Sequence, residues 1–597
     1  MRKTALVAAL LAAGPAVAAE TAAPLIVTAT RTAETADETL ASVTVITREA
    51  IERSQVRSVQ ELLAGLPGIG IANNGGDGKA TSLFLRGTES DHVLVLVDGV
   101  RVGSATLGTT AFEQLPLAEI ERIEIVRGPR SALYGSEAIG GVIQIFTRRG
   151  GGPDLSAALG AGSRATASAS LSLRGGGGKA WYALGLSGLD TDGIDACRGS
   201  LTEGCFAIKP DEDGYRNLGA SLSLGGRVGD VEVELGWLRS EGETEFDGAF
   251  QNGADTLQEV VRLETRIERG EALWTVRLGR ARDESDNTLD GAFVSRFVTE
   301  RDSATVQADL PVGAGVLSLG VDYLDDEVGG TAGYAVETRR DTGVFAQWQA
   351  GSAAGDWALA LRHDDNEQFG DHVTGSVAWG REVGAGLRLV AAYGTAFKAP
   401  TFNELYFPGF GNPDLDPERS RSVELGLRRR QWWSLTLFAT RIDDLIGFDA
   451  SFTPRNIDEA RIVGLEGEAA LRLGDWALRA GATLQEPENR GDGAERGNTL
   501  PRRARAFGRI ELDRDRGRWS AGATLRAEGP RYDDLANTRR LAGYAVLDLR
   551  GAYRLSRALR LQARVENALD KDYETAAGYP QPGRGVFLTL RYARPRG

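Results

Sequence analysis

The chain has little of what builds redox or metal chemistry: two cysteines, one methionine and three histidines in 597 residues. His92, His363 and His372 leave too little material for a haem, zinc or copper cluster. Cys197 and Cys205 share one polar stretch and lack the further ligands of a zinc or redox site, so in an exported chain they are expected to form one local disulfide. Long hydrophobic runs are missing too. Beyond the N-terminus no apolar segment approaches the ~20 residues that a membrane-crossing helix needs, which argues against residence in an inner membrane. Basic charge is in deficit, with a net charge of −14, which disfavours nucleic acid and suits divalent cations.

What is present begins with an export signal. "MRKTALVAALLAAGPAVAAE" has a positive start (Arg2, Lys3), an apolar stretch over residues 5–13, and Ala16-Val17-Ala18 as a small-residue cleavage signal. Residues 1–19 read as a secretory signal peptide. Without them the balance is 67 basic against 83 acidic side chains, or −16.

From about residue 151 to the end, short alternating segments follow one another between Gly, Asp and Asn clusters. In "VEVELGWL", Val231, Val233, Leu235 and Trp237 share one face and Glu232, Glu234 and Gly236 the other; "VLSLGVDY" and "ALRLQARVE" alternate in the same way. This is the period-two pattern of strands between two different environments. More than 400 residues of it, with no long helix between, do not close into one soluble sandwich. A transmembrane β-barrel accommodates them, apolar outside and polar within, with no unpaired backbone in the lipid. Trp181, Trp237, Trp348 and Trp357 fit interfacial girdles facing outer-membrane lipids. At roughly 20 residues per strand and connection, the region supplies about 22 strands, the size of the plugged outer-membrane transporters.

Residues 20–150 differ. "VRSVQELLAGLPG" reads as a helix ended by Gly65 and Pro67, and "HVLVLVDGVRV" as an apolar strand turning at Asp98-Gly99. The expected architecture is an α+β plug domain inside the lumen of an all-β barrel. Within "RGPRSALYGSEAIGG", Arg127 and Arg130 are expected to pair with acids on the lumen wall, since no G-x-x-x-x-G-K-[ST] follows to make a phosphate loop.

Five motifs, in order, carry a resemblance: "LFLRGTESDHVLVLVDGVRV", "IERIEIVRGPRSALYGSEAIGGVIQIFT", "GTAFKAPTFNELY", "GNPDLDPERS" and "VENALDKDYE". Together they resemble the TonB-dependent outer-membrane receptors, over residues 24–592. The segments "NNGGDGKATSLFLRGTESDHVLVLVDGVR" and "NALDKDYETAAGYPQPGR" are most similar to the cobalamin-importing branch. The resemblance implies active import of cobalamin or a related corrinoid into the periplasm, with TonB and its inner-membrane energising complex as partner. A ferric siderophore is the alternative cargo. "PLIVTATR" looks like a TonB box, and Leu25, Ile26, Val27, Thr28 and Ala29 could add as a strand to a partner's sheet edge.

By the same resemblance, Ser82, Glu89, Leu107 and Gly108 fall at ligand-facing plug apices and Arg502 on the barrel wall. Glu89 stands where the family offers an amide, and Ala536 where a loop offers Tyr. Tyr592 takes the place of the terminal aromatic residue. Asp195, Asp211, Asp213, Asp247 and Asp255 fall on positions that hold calcium in the family, which implies a structural calcium ion. Lys209 replaces a neutral ligand there, so one ion of two is expected to be lost. "PDEDG", residues 210–214, is no EF-hand, because the acids required after Gly214 are missing. Among other classes, a passive porin is disfavoured by the plug, a haem receptor by the few histidines, and an enzyme built on His363-Asp364 by the lack of a nucleophile motif.

Overall fold

The computed structural model describes residues 26–27, 31–32, 34–35, 38–200, 204–430, 432–448 and 452–594; the signal peptide expected at 1–19 lies outside them. Twenty-two antiparallel strands form a closed barrel. Its last strand, Gly585–Ala593, pairs with its first, Asp154–Gly162. Closure removes every sheet edge, the condition for a sheet to stand in lipid. Among the described residues no helix is long and apolar enough to cross a membrane.

The alternation read from the sequence sets the two faces. On strand Val231–Glu245, Glu234, Leu238, Ser240 and Thr244 are buried toward the lumen, while Val233 and Leu235 are exposed on the outside. Connections at one end are two- to four-residue turns such as 229–230, 270–271 and 313–314. Those at the other end run to 399–417, 490–505 and 567–584. Short turns mark the periplasmic end of such barrels and long loops the outer end. Trp348, Trp357, Trp476 and Trp519 are exposed beside the short turns, forming the girdle of that interface.

The plug is a five-stranded sheet in the order Ser42–Thr47, Ile120–Arg127, Gly141–Thr147, Val93–Val97, Val100–Arg101. Val93–Val97 is buried on both faces, as its unbroken apolar run requires. Asp98 and Gly99 both have positive φ, as a two-residue hairpin turn of this hand demands. Asp98 is also anchored, accepting from the Thr147 amide at 3.1 Å. The helix expected within 56–68 is Val59–Leu63: Ser58 caps its start by accepting from the Glu61 amide, and Gly65, expected to end it, takes φ +74° just after its end.

Plug and wall meet through charge. Arg86 reaches Glu424 (3.0 Å) and Glu466 (2.9 Å), Arg127 reaches Glu468 (3.2 Å), and Glu52 accepts from Arg591 (2.9 Å). Arg127 thus meets an acid as expected. Arg130, at the cap of the short helix Ser131–Tyr134, donates to the Arg127 carbonyl at 3.1 Å and shares a plug–wall cavity with Glu424 without an ion pair to it.

Candidate functional site

The outer mouth is assembled from plug apices and long loops. Strands Ile69–Asn73 and Thr81–Leu85 form a hairpin. Its tip presses on Ala196 and on Tyr215 of strand Asp213–Val228: a Cβ on Gly75 would come within 2.4 Å of the Ala196 carbonyl oxygen, and one on Gly78 within 2.1 Å of the Tyr215 ring. Only glycine permits approach so close at these positive φ angles. Lys79 Nζ donates to the carbonyls of Asp213 and Gly214, both at 3.1 Å. The Asn73 amide donates to Thr575 Oγ1 (2.9 Å), and its carbonyl accepts from Gln581 Nε2 (2.9 Å), tying in loop 567–584.

On this floor lie three of the five aspartates. Asp195, Asp213 and Asp247 each bring a carboxylate oxygen within 4.8 Å of the others. Asp213 and Asp247 are buried, and Asp213 Oδ2 accepts from the Ala196 amide at 2.7 Å. Both oxygens of Asp247 and Oδ1 of Asp195 are enclosed without a donor. Burial pushes the Asp247 carboxyl up to about 6, with the negative charges of Asp213 and Asp195 adding to it. Such a donor set fits a hard divalent cation, which takes carboxylate oxygens and cancels their repulsion. Two aspartates stand apart. Asp211 pairs with Lys209 at 3.4 Å on an exposed segment. Asp255 lies within strand Gly253–Arg269, where buried Ala254 faces in and Asp255 therefore faces out. Cys197 and Cys205 are joined, with Cα atoms 6.4 Å apart, so their sulfurs are no metal ligands.

The five residues expected to face a ligand lie in separate places. Leu107 is 61% exposed at the second apex and presents an apolar tip to the mouth. Beside it Gly108 has φ +73° and leaves no room for a side chain, since a Cβ would lie 2.8 Å from Thr401 Cγ2 and 2.9 Å from Asp91 Cβ. Ser82 is half-buried opposite Ala72. Glu89 is engaged by Arg503 at 3.1 Å, and Arg502 by Asp533 at 2.8 Å. Sequence reasoning passed over Arg503, and also the buried group behind it. There His92 Nε2 lies 2.8 Å from Glu418, and Lys398 Nζ lies 2.7 Å from Asp91 and 3.4 Å from Glu404. It missed Phe407 and Phe410 too, whose rings stand 6.2 Å apart beside the mouth. Aromatic residues flanking the glycine of "FPGF" were the available signal.

At the other end, Ile26–Val27 pairs antiparallel with Glu34–Thr35, folding this segment into a hairpin. Leu25, Thr28 and Ala29 lie outside the described residues. Arg31 fastens the hairpin to plug and wall: its Nη2 donates to the Leu133 carbonyl (2.6 Å) and to Asp322 (2.7 Å), and its guanidinium lies over Tyr134 at 4.5 Å. His363 and Asp364 occupy opposite faces of one strand, His363 exposed with Asp371 at 3.0 Å and Asp364 buried against Arg362. They cannot act as a pair.

The chain matches the family model for the TonB dependent receptor-like β-barrel over residues 203–568 and that for the TonB-dependent receptor plug domain over 35–142. It is 32% identical over 591 residues to the vitamin B12 transporter BtuB of Photobacterium profundum, and 31% identical over 601 residues to that of Vibrio vulnificus; each alignment covers 95% of both chains. Among solved structures it resembles the ferric enterobactin receptor PfeA of Pseudomonas aeruginosa (TM-score 0.79, 20% identity) and the siderophore receptor PirA of Acinetobacter baumannii (TM-score 0.79, 18% identity). Each match covers 92% of this chain and 98% of the other. At those identities the likeness is one of fold.

Proposed function

Because the chain belongs to the TonB-dependent receptors and is an outer-membrane barrel rather than an enzyme, we propose that its cargo is cobalamin or a closely related corrinoid. The observation that carries this reading is the 31–32% identity to two vitamin B12 transporters over 95% of the chain, which spans plug and barrel alike. The mouth suits a large ligand of mixed polarity, with Leu107 and Phe410 as exposed apolar contacts and charged side chains around them. Cargo lands on the plug apices, and TonB draws on the segment around Ile26, whose backbone can add to a sheet edge once the hairpin opens. Calcium held by Asp195, Asp213 and Asp247 would neutralise the loop acids and order loop 195–212 against the hairpin tip.

The test is a tryptophan-fluorescence titration of purified protein with cyanocobalamin and with ferric enterobactin. Tight binding of cobalamin alone is expected; tight binding of the siderophore alone overturns the assignment. Excess chelator is expected to weaken cobalamin binding by about tenfold or more, and Asp213→Asn with Asp247→Asn to remove the difference. Affinity indifferent to chelator would mean that these acids hold no ion the ligand needs.

A further inference from the structure

The outer wall of the barrel carries a charged feature that transport does not use. Arg421, Arg441 and Arg461 stand directly across from one another on three successive strands, Glu418–Arg429, Trp433–Phe448 and Pro454–Leu473. All three are exposed, while their chain neighbours Ser422, Thr440 and Ile462 are buried toward the lumen, so the arginines face outward. On the same face, Val423, Ala439 and Val463 form the next row toward the membrane centre, followed by Leu425, Leu437 and Leu465. The arginines therefore sit where the apolar belt ends, on the long-loop side.

Adjacent strands lie ~4.8 Å apart, and like charges directly opposite destabilise a sheet. Two carboxylates offset this only in part. Asp443 accepts from Arg421 (2.9 Å) and Arg441 (2.7 Å), and Glu459 accepts from Arg441 (2.8 Å). Glu488 stands across from Arg461 on the next strand, Trp476–Asn489, but its carboxylate is taken by Arg490, and among the described residues the Arg461 side chain has no ion pair or hydrogen bond. Arg490 and Arg496 overhang the row, each occupied by its own acid, Glu488 and Asp492. Together they enclose an open hollow of about 400 Å³. On the other side of the barrel the outward row Arg239, Glu259, Arg282, Glu300 alternates in sign and needs no counterion.

We infer that this row binds the phosphorylated headgroup of an outer-leaflet glycolipid. Guanidinium groups match phosphate oxygens in paired hydrogen bonds, and three side by side span more than one phosphate. The hollow falls in the range of about 300–1,000 Å³ of small-molecule sites, which a sugar phosphate fills better than a lone anion. The Val and Leu rows directly below would receive the acyl chains. That continuity assigns the site to a lipid rather than to free phosphate.

Native mass spectrometry of the full chain in mild detergent tests this, using bis-phosphorylated lipid A, dephosphorylated lipid A and inorganic phosphate as probes. Bis-phosphorylated lipid A is expected to bind at least about fivefold more tightly than the dephosphorylated form. The triple variant Arg421→Gln, Arg441→Gln, Arg461→Gln should lose that preference, and the control Arg239→Gln, Arg282→Gln should keep it. Assembly is verified by heat-modifiable gel mobility. If the triple variant does not assemble, Arg461→Gln alone is read, with a loss of about twofold expected. Equal binding of the two lipids, an unaffected variant, or displacement of lipid A by inorganic phosphate would each overturn the proposal.

Discussion

Glu113, on the plug beside a cavity of about 160 Å³ between plug and wall, shows what a single residue contributes here. Its Oε2 has no donor, and burial pushes its carboxyl from the ordinary 4.5 up to about 8. Below pH 4.5 the folded and unfolded forms both carry the proton; between there and about 8 only the folded form does. Native stability therefore falls as pH rises through that window. Glu113→Gln should be neutral at pH 4 and stabilise the plug at pH 8 by roughly 1–2 kcal/mol, the shift being discounted because the side chain is only half-buried. Pulse proteolysis in urea at the two pH values reads the difference; an equal effect at both would remove titration as the cause. The fate of the five aspartates was only partly legible in the sequence. Asp255 could have been excluded, since alternation within its strand sends it outward from the buried Ala254. The meeting of Asp195, Asp213 and Asp247 could not be read from spacing, because loop conformation decides it.

Among the elements, strands were more legible than helices or loops. Alternation between lipid and lumen marks the barrel strands where they cross the apolar belt, and hydrogen bonding to two neighbours leaves little freedom of outcome. Of the plug helix, the stop at Gly65 was legible and the start was not, because Ser58 as its cap is one polar residue among several ahead of the apolar run. The N-terminal hairpin was invisible for a similar reason, its two pairings being too few to leave a pattern. It nevertheless yields a prediction. Ile26→Pro removes a main-chain donor from the segment proposed to engage TonB and lies far from the mouth, so uptake should fall by about tenfold or more while surface binding stays within about twofold. Measured with labelled cobalamin on whole cells, equal loss of both would contradict a force-bearing strand.

Across the whole molecule, the barrel is closed by its own ladder, and the plug is held by ion pairs together with small apolar contacts, such as Ile139 against Phe438 and Ile462 and Ala105 against Val328 and Phe402. The main apolar cluster of the plug is its own, joined from the wall chiefly by Leu238, Val260 and Ala281. Deleting residues 20–150 should therefore leave a barrel that still assembles and conducts. Planar-bilayer recording should show a large ohmic pore for the deletion and almost none for the intact chain. A deletion that fails to assemble would show that the plug templates the barrel. The order of the plug sheet has a mechanical meaning as well. Ser42–Thr47, the first strand after the hairpin, is an edge strand paired only with Ile120–Arg127. Tension applied at the N-terminus meets the two-residue hairpin, then the Arg31 contacts, then this edge, while the central strands are braced on both sides. A load too weak to extract the plug would peel this six-residue edge first, paying out ~20 Å of chain. Such an order would make the fold a fuse of graded strength, yielding from the periplasmic side inward.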